Sequence, residues 1–197
     1  MISDKFYLGY IDENVTCYLD DILQVKLEDH VNTPQRETMI RFSAKRKSES
    51  TKKIIDIIKP FFEESGFQVN LDNGYIGYES FTYNSHQYVD TLFDISCENE
   101  NFDDVQVCYI ITKKDEGLKS GNMMIYNEYS FWNMIGIKDA NTQKIPLQRG
   151  SVLIMKGDIY HRLTGCYGFG ELNLIRIVCY RNKRLGYSCD NDDDEYQ

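Results

Sequence analysis

Apolar residues run through this chain at two different periods. Ile54, Ile55, Ile57, Ile58, Phe61 and Phe62 recur at the three- and four-residue spacing that gathers side chains on one face of a helix. Ser48 or Ser50 is placed to cap the start of that helix, Gly66 to end it and Pro60 to bend it. The stripe predicts a helix laid on a sheet. Beyond Gly66 the pattern turns to strands, expected at 67–71, 75–78, 81–83, 87–93, 105–112, 123–126, 130–137, 152–155 and 172–180. They are rich in Val, Ile, Tyr and Phe and are punctuated by Asp-Asn-Gly, Ser-Gly-Asn and Arg-Gly turns. Before the helix, 7–11 and 16–19 read as short strands, and 22–27 as a strand or one helical turn. Many strands behind one or two N-terminal helices predict a mainly β (α+β) fold, an antiparallel sandwich or barrel such as a jelly roll. The expected organisation is a single domain over 1–189, with 1–50 an N-terminal extension, 51–66 the backing helix and 67–185 the barrel. Residues 190–197 have no apolar run and five acids, so a disordered tail is expected there.

Composition narrows the function classes. With 197 residues, 42% hydrophobic and 27% charged, the chain suits one globular domain. Its net charge of −9 counts against a protein whose main task is coating phosphate backbone. Five of those charges, Asp190, Asp192, Asp193, Asp194 and Glu195, sit in the tail and leave −4 for the rest. Arg149, Arg162, Arg176, Arg181, Lys183 and Arg184 fall around the last predicted strands, so a locally positive pocket is expected. The basic run over 41–53 reads as a solvated loop entering the helix, or as a patch for an acidic partner. No secretory leader and no apolar stretch near ~18 residues is seen, so no membrane partner is expected. The six cysteines form no C-x-x-C pair, and Cys97, Cys108 and Cys179 sit in or beside apolar runs, where thiols serve as small core residues. That usage predicts a reduced, cytoplasmic setting. The Asn-, Asp-, Ile- and Tyr-rich composition suggests a low-GC genome such as that of a large DNA virus, which would make it a host cytoplasm.

Few residues are equipped for chemistry. Of three histidines, His30 lies in a polar connection, while His86 and His161 fall at the ends of predicted strands. His161 follows a turn, an apolar strand and a Gly-Asp turn, a place that suits either a structural histidine or a metal ligand. Arg176 interrupts the apolar strand 172–180, where period 2 puts it on one face with Leu174, Val178 and Tyr180. Asn173, Ile175, Ile177 and Cys179 form the other face. Both faces look buried, so the guanidinium needs an anionic partner, either a protein acid or a small dicarboxylate. Gly168-Phe169-Gly170 lacks the lysine of a phosphate loop and reads as a turn. No histidine stands near a serine or cysteine in a pattern for acyl transfer.

From about 54 to 182 the chain resembles the double-stranded β-helix of the Fe(II)- and 2-oxoglutarate-dependent oxygenases, closest in layout to the prolyl hydroxylase branch. The helix up to Gly66 resembles the one that backs the family's barrel. The run over 83–91 resembles the strand ending in its H-x-D ligands. Strand 105–112 followed by Ser120-Gly121-Asn122 and strand 123–126 resembles its S-G-G hairpin, and 149–161 with 172–180 its distal-histidine and cosubstrate strands. The resemblance implies an oxygenase that hydroxylates a protein or peptide side chain, more readily than a nucleic acid, using Fe(II) and 2-oxoglutarate. Residue by residue it implies His86, Asp90 and His161 as iron ligands, and Tyr109 and Arg176 around the cosubstrate carboxylate, with Asn173 as the alternative position to Arg176. Two imidazoles and one carboxylate on one side of the metal leave positions for keto acid and dioxygen.

The chain departs from that pattern in having no H-x-D. It offers His86-x-Tyr88, Tyr88-x-Asp90 or His86-x-x-x-Asp90, with Asp94 a further carboxylate. Residues four apart in a straight strand lie roughly 13 Å apart, so His86 and Asp90 share a metal only across a turn or bulge. Three functions therefore stand open: an active oxygenase, a metal-free member that binds through the barrel, and a structural jelly roll in which Arg176 pairs with Glu171 or Asp158. Oligomeric state is not legible.

Overall fold

The structure is a computed structural model and describes residues 4–24, 35–42, 47–67, 71–89, 102–126 and 142–183. In chain order the elements are β1 (Phe6–Tyr10), α1 (Glu13–Gln24), β2 (Gln35–Phe42), α2 (Glu49–Ser65), β3 (Gly74–Val89), β4 (Phe102–Lys114), β5 (Leu118–Ser120), β6 (Asn122–Tyr126), β7 (Thr142–Pro146), β8 (Ser151–Lys156), β9 (His161–Leu163) and β10 (Cys166–Lys183). The larger sheet runs β1-β8-β4-β10-β3-β2 with β5 paired to β10, and the smaller runs β7-β6-β9. Every pairing is antiparallel. Two sheets with helices on the outer face of the larger one bear out the expected mainly β jelly roll.

Period 2 along the central strands divides their side chains between two cores. Val107, Tyr109 and Ile111 of β4 and Leu172, Leu174 and Val178 of β10 pack with Met123, Ile125, Ile145 and Leu163 of the smaller sheet or its flanks. The alternate residues, among them Cys108, Ile110, Ile175, Ile177 and Cys179, pack with Leu19 of α1 and Ile54, Ile55, Ile58 and Phe62 of α2. Strand β10 is thus buried on both faces, as its unbroken apolar run implied.

Helix α2 matches the predicted stripe. The Ser48 hydroxyl accepts from Thr51 N at 3.1 Å, and Gly66 ends the helix at φ 72°, a conformation that a Cβ disfavours. Ser48→Ala should therefore cost about 1 kcal/mol in urea unfolding, and an unchanged midpoint would show that water caps the helix equally well.

Three local expectations are corrected. Residues 16–19 are helical, because Val15 and Leu19 recur at helical spacing and Asp12 caps the start by accepting from Val15 N at 3.0 Å. Thr16 joins the helix by returning its hydroxyl to Glu13 O at 2.8 Å. Leu71 lies in a turn rather than a strand, and 68–70 lie outside the described residues. The short strands expected at 75–78 and 81–83, with the start of 87–93, merge into β3, since polar Glu79-Ser80 and Asn84-Ser85 stay paired to β10. The first 50 residues also do more than extend the domain, for β1 and β2 form both edges of the larger sheet's path. The strand expected at 130–137, His30 and the acidic tail over 190–197 lie outside the described residues.

Burial sets a pH response. Tyr7 donates to Glu64 Oε2 at 2.6 Å, and burial, then that bond and the Glu64 charge, push its phenol up to about 12. Tyr78 is raised further, by burial first and then by Asp20, and burial also raises the thiols of Cys108, Cys166 and Cys179. These groups keep protons that the unfolded chain releases from about pH 9–10. The stability they confer is complete below that range and falls as pH rises through their folded values. Among the described residues Lys114, lowered by burial, opposes the trend against several groups. Urea midpoints should drop between pH 8 and pH 11, and less steeply in Tyr7→Phe; equal slopes would remove Tyr7 from the account.

Candidate functional site

The space between the two sheets holds the polar residues of interest. Tyr109 of β4 and Arg176 of β10 are register partners, so their side chains leave the larger sheet on the same inner face. His161 opens β9 in the smaller sheet, paired with Ile125 of β6. It is 1% exposed, and its Nε2 lies 2.8 Å from the Tyr109 hydroxyl. The rings meet edge to face at 5.5 Å and 72°.

The backbone before β9 orients this imidazole. Gly157 N donates to Val105 O at 2.7 Å, pinning the turn after β8 to β4. A Cβ on Gly157 would meet Val105 Cβ at 2.6 Å, which explains glycine there. Two residues on, the Ile159 carbonyl lies 2.8 Å from His161 Nδ1. A carbonyl only accepts, so Nδ1 carries a proton; in the neutral imidazole the lone pair then falls on Nε2, where the Tyr109 hydroxyl donates to it.

Arg176 is half-buried and donates from Nη2 to the Tyr75 hydroxyl at 2.6 Å, with its guanidinium carbon 5.4 Å from the Tyr75 ring centre. Tyr75 belongs to β3 opposite Val178, diagonal to Arg176 on the same face. Sequence reading missed this partner, because the register that sets Gly77 opposite Arg176, and so Tyr75 diagonal to it, is fixed only by strand pairing. It also missed Glu79, a carboxylate only 3% exposed on the same side of β3.

Several expected placements are corrected. Asn173 faces the helices: its Nδ2 donates to Asp20 of α1 at 3.1 Å, and its Oδ1 accepts from Ser80 at 2.7 Å. It is therefore not interchangeable with Arg176 at the inner site. Glu171, considered as a partner for Arg176, is bound by Lys113 at 2.6 Å, and Asp158 is exposed in the turn before β9. Of the basic residues expected around the pocket, Arg149 is engaged elsewhere. Arg149 ties the β8 turn to α1, through Glu13 Oε1 at 2.7 Å, Thr16 Oγ1 at 3.2 Å and Cys17 Sγ at 3.0 Å. Lys114 is committed to the carbonyls of Ser120 and Leu147, both at 2.6 Å. The side chains of Arg181, Lys183 and Arg184 lie outside the described residues.

For the metal that the resemblance implies, His161 fits as one ligand: it is buried, its tautomer is held by a carbonyl, and its lone pair points at an inner polar group. His86 belongs to β3, but its side chain and that of Tyr88 lie outside the described residues, as do Asp90 and Asp94. Among the described residues no three His, Cys, Asp or Glu gather to hold an ion. For 2-oxoglutarate, Arg176 and the Tyr109 hydroxyl provide a cation and a neutral donor on one face, a combination suited to a carboxylate.

No family model matches the sequence, and no curated protein matches it. Solved structures do match the fold. A 2OG-Fe(II) oxygenase family oxidoreductase from Burkholderia pseudomallei superposes with a TM-score of 0.61 at 10% identity, covering 91% of this chain and 86% of that one. A Pseudomonas putida prolyl-4-hydroxylase gives 0.53 at 7% identity, over 90% and 93% of the two chains. HygX from Streptomyces hygroscopicus, solved with nickel and 2-oxoglutarate bound, gives 0.57 at 8% identity, over 89% and 82%. The chain thus has the fold of these oxygenases, prolyl hydroxylases among them, as the resemblance implied. At such identities the likeness establishes the fold alone.

Proposed function

We propose that this chain is an Fe(II)/2-oxoglutarate-dependent oxygenase-like protein that hydroxylates a side chain of a protein or peptide, in the manner of a prolyl hydroxylase. The observation that carries the reading is the meeting of His161, Tyr109 and Arg176 inside a fold shared with such oxygenases. Iron would be held by His161 together with His86 and Asp90, and when bound it would supply dioxygen activation coupled to decarboxylation of the keto acid. This chain's residues do the positioning. Arg176 binds the far carboxylate of 2-oxoglutarate, the Tyr109 hydroxyl donates to it, and Tyr75 holds the guanidinium in place. The Ile159 carbonyl keeps the His161 lone pair on Nε2, while Leu174, Val178, Met123 and Ile125 give the site dry walls. A cytoplasmic place of action belongs to the same reading. Among the described residues no helix is long and apolar enough to cross a membrane.

Anaerobic titration with Fe(II) and 2-oxoglutarate tests it. A weak visible charge-transfer band and 2-oxoglutarate turnover in air are expected; if both are missing, the reading fails. A second reading is a metal-free binding module, favoured by the Tyr109 hydroxyl standing on His161 Nε2, where a metal would sit. That module would bind 2-oxoglutarate equally well with and without a chelator, whereas an oxygenase would bind it tighter with metal.

A further inference from the structure

We propose that the Tyr109 hydroxyl is an exchangeable cap on His161, drawn off Nε2 when a carboxylate arrives at Arg176. The proposal deepens the oxygenase reading and rests on it for the use made of the released nitrogen.

Three observations support the exchange. The imidazole has one lone pair to offer at Nε2, and the 2.8 Å bond from Tyr109 occupies it. An electrophile and that hydroxyl proton therefore exclude each other. The phenol in turn has a single proton to donate. Arg176, its register partner on β10, lies on the same face and is the cation that would bring a carboxylate within reach of the same hydroxyl. An ionised acceptor makes a bond about twice as strong as a neutral one, so the proton should follow the charge. Finally, Tyr109 and His161 are both buried, which limits the water available to replace either bond.

The consequence is linkage. An anion at Arg176 and a metal at His161 should favour one another through Tyr109, and the effect must be reciprocal. One exchanged hydrogen bond corresponds to about a five- to tenfold change in affinity.

The test uses the full chain, Mn(II) as a redox-inert metal and glutarate as a five-carbon dicarboxylate with no keto oxygen to chelate it. In the native protein saturating glutarate should tighten Mn(II) about five- to tenfold. Tyr109→Phe, which keeps the ring but not the proton, should bind Mn(II) that much tighter without glutarate, and glutarate should add nothing more. In metal-free protein the 15N resonance of His161 Nε2 should move when glutarate is added. In Tyr109→Phe that resonance should lie at the shifted position from the start. If Mn(II) binds both forms equally, the cap is wrong and the oxygenase reading survives. If neither form binds Mn(II) while the Nε2 resonance still follows glutarate, the cap stands and the oxygenase reading fails. A resonance that ignores glutarate overturns the cap outright.

Discussion

Replacing Asp20 with Ala is expected to destabilise the protein by about 3 kcal/mol or more, a large share of the ~5–15 kcal/mol that holds a typical domain folded. Asp20 is the point where α1 is fastened to the larger sheet. Its Oδ1 accepts from the Tyr78 hydroxyl at 2.8 Å, the Thr112 hydroxyl at 2.9 Å and Asn173 Nδ2 at 3.1 Å. The three donors come from β3, β4 and β10, and all three side chains are buried. Removing the acceptor strands donors that cost about 1–3 kcal/mol each when left unsatisfied, less whatever water enters the vacated volume. Asp20→Asn keeps one acceptor oxygen and should lose only about 1–2 kcal/mol. Urea unfolding of both variants checks the order. A double-mutant cycle with Tyr78→Phe should show coupling, because the second substitution removes one donor that the first leaves stranded. A loss below about 1 kcal/mol in Asp20→Ala would mean that solvent replaces the carboxylate and α1 is held by packing alone.

The Asp20 cluster also shows where reading the sequence stopped short. Period 2 correctly put Arg176 and Asn173 on opposite faces of β10, yet could not say which face was the inside. Leu174 and Ile175 are both fully buried, so apolarity does not separate a wall facing a second sheet from one facing helices. That assignment depends on Asp20, an acid 153 positions away, just beyond the strand expected at 16–19. It also needed the register shift between Asn173 and Leu174, where β4 carries one residue more than β10, an irregularity with no signature in composition. By contrast the α2 stripe, its Ser48 and Gly66 caps and strand β8 were legible, because each is a local pattern that tertiary contacts reinforce. The hydroxyl on His161 belongs to neither category. Tyr109 was chosen as a carboxylate donor and His161 as a ligand, and their meeting across two sheets follows from a turn held by Val105 and Gly157. Residues on separate strands acquire their relation only when both sheets close.

Arg176→Leu is expected to weaken 2-oxoglutarate binding by on the order of 100-fold or more, the loss that follows removal of a charged hydrogen-bonding partner from a partly buried site. Affinity should be measured by calorimetry with Mn(II) in place of iron, so that no turnover intervenes. Tyr75→Phe leaves the cation but removes the hydroxyl that accepts its Nη2 proton, and should cost about three- to tenfold. Stability separates a binding role from a structural one. Leucine suits the apolar neighbours Leu174 and Val178 on the inner face and removes the desolvation penalty of a half-buried cation, but it also takes a cation from the face that carries the buried Glu79 carboxylate. The comparison is therefore made in a Glu79→Gln background, where no buried carboxylate loses a cation beside it, and there Arg176→Leu should unfold at about the same urea concentration as Glu79→Gln alone. If it instead loses several kcal/mol, Arg176 belongs to the framework, held there by Tyr75 and its neighbours. If it folds normally and binds 2-oxoglutarate as before, the carboxylate does not meet this guanidinium. Selective loss of binding in a protein of undiminished stability is the outcome that an inward-facing arginine opposite Tyr109 requires.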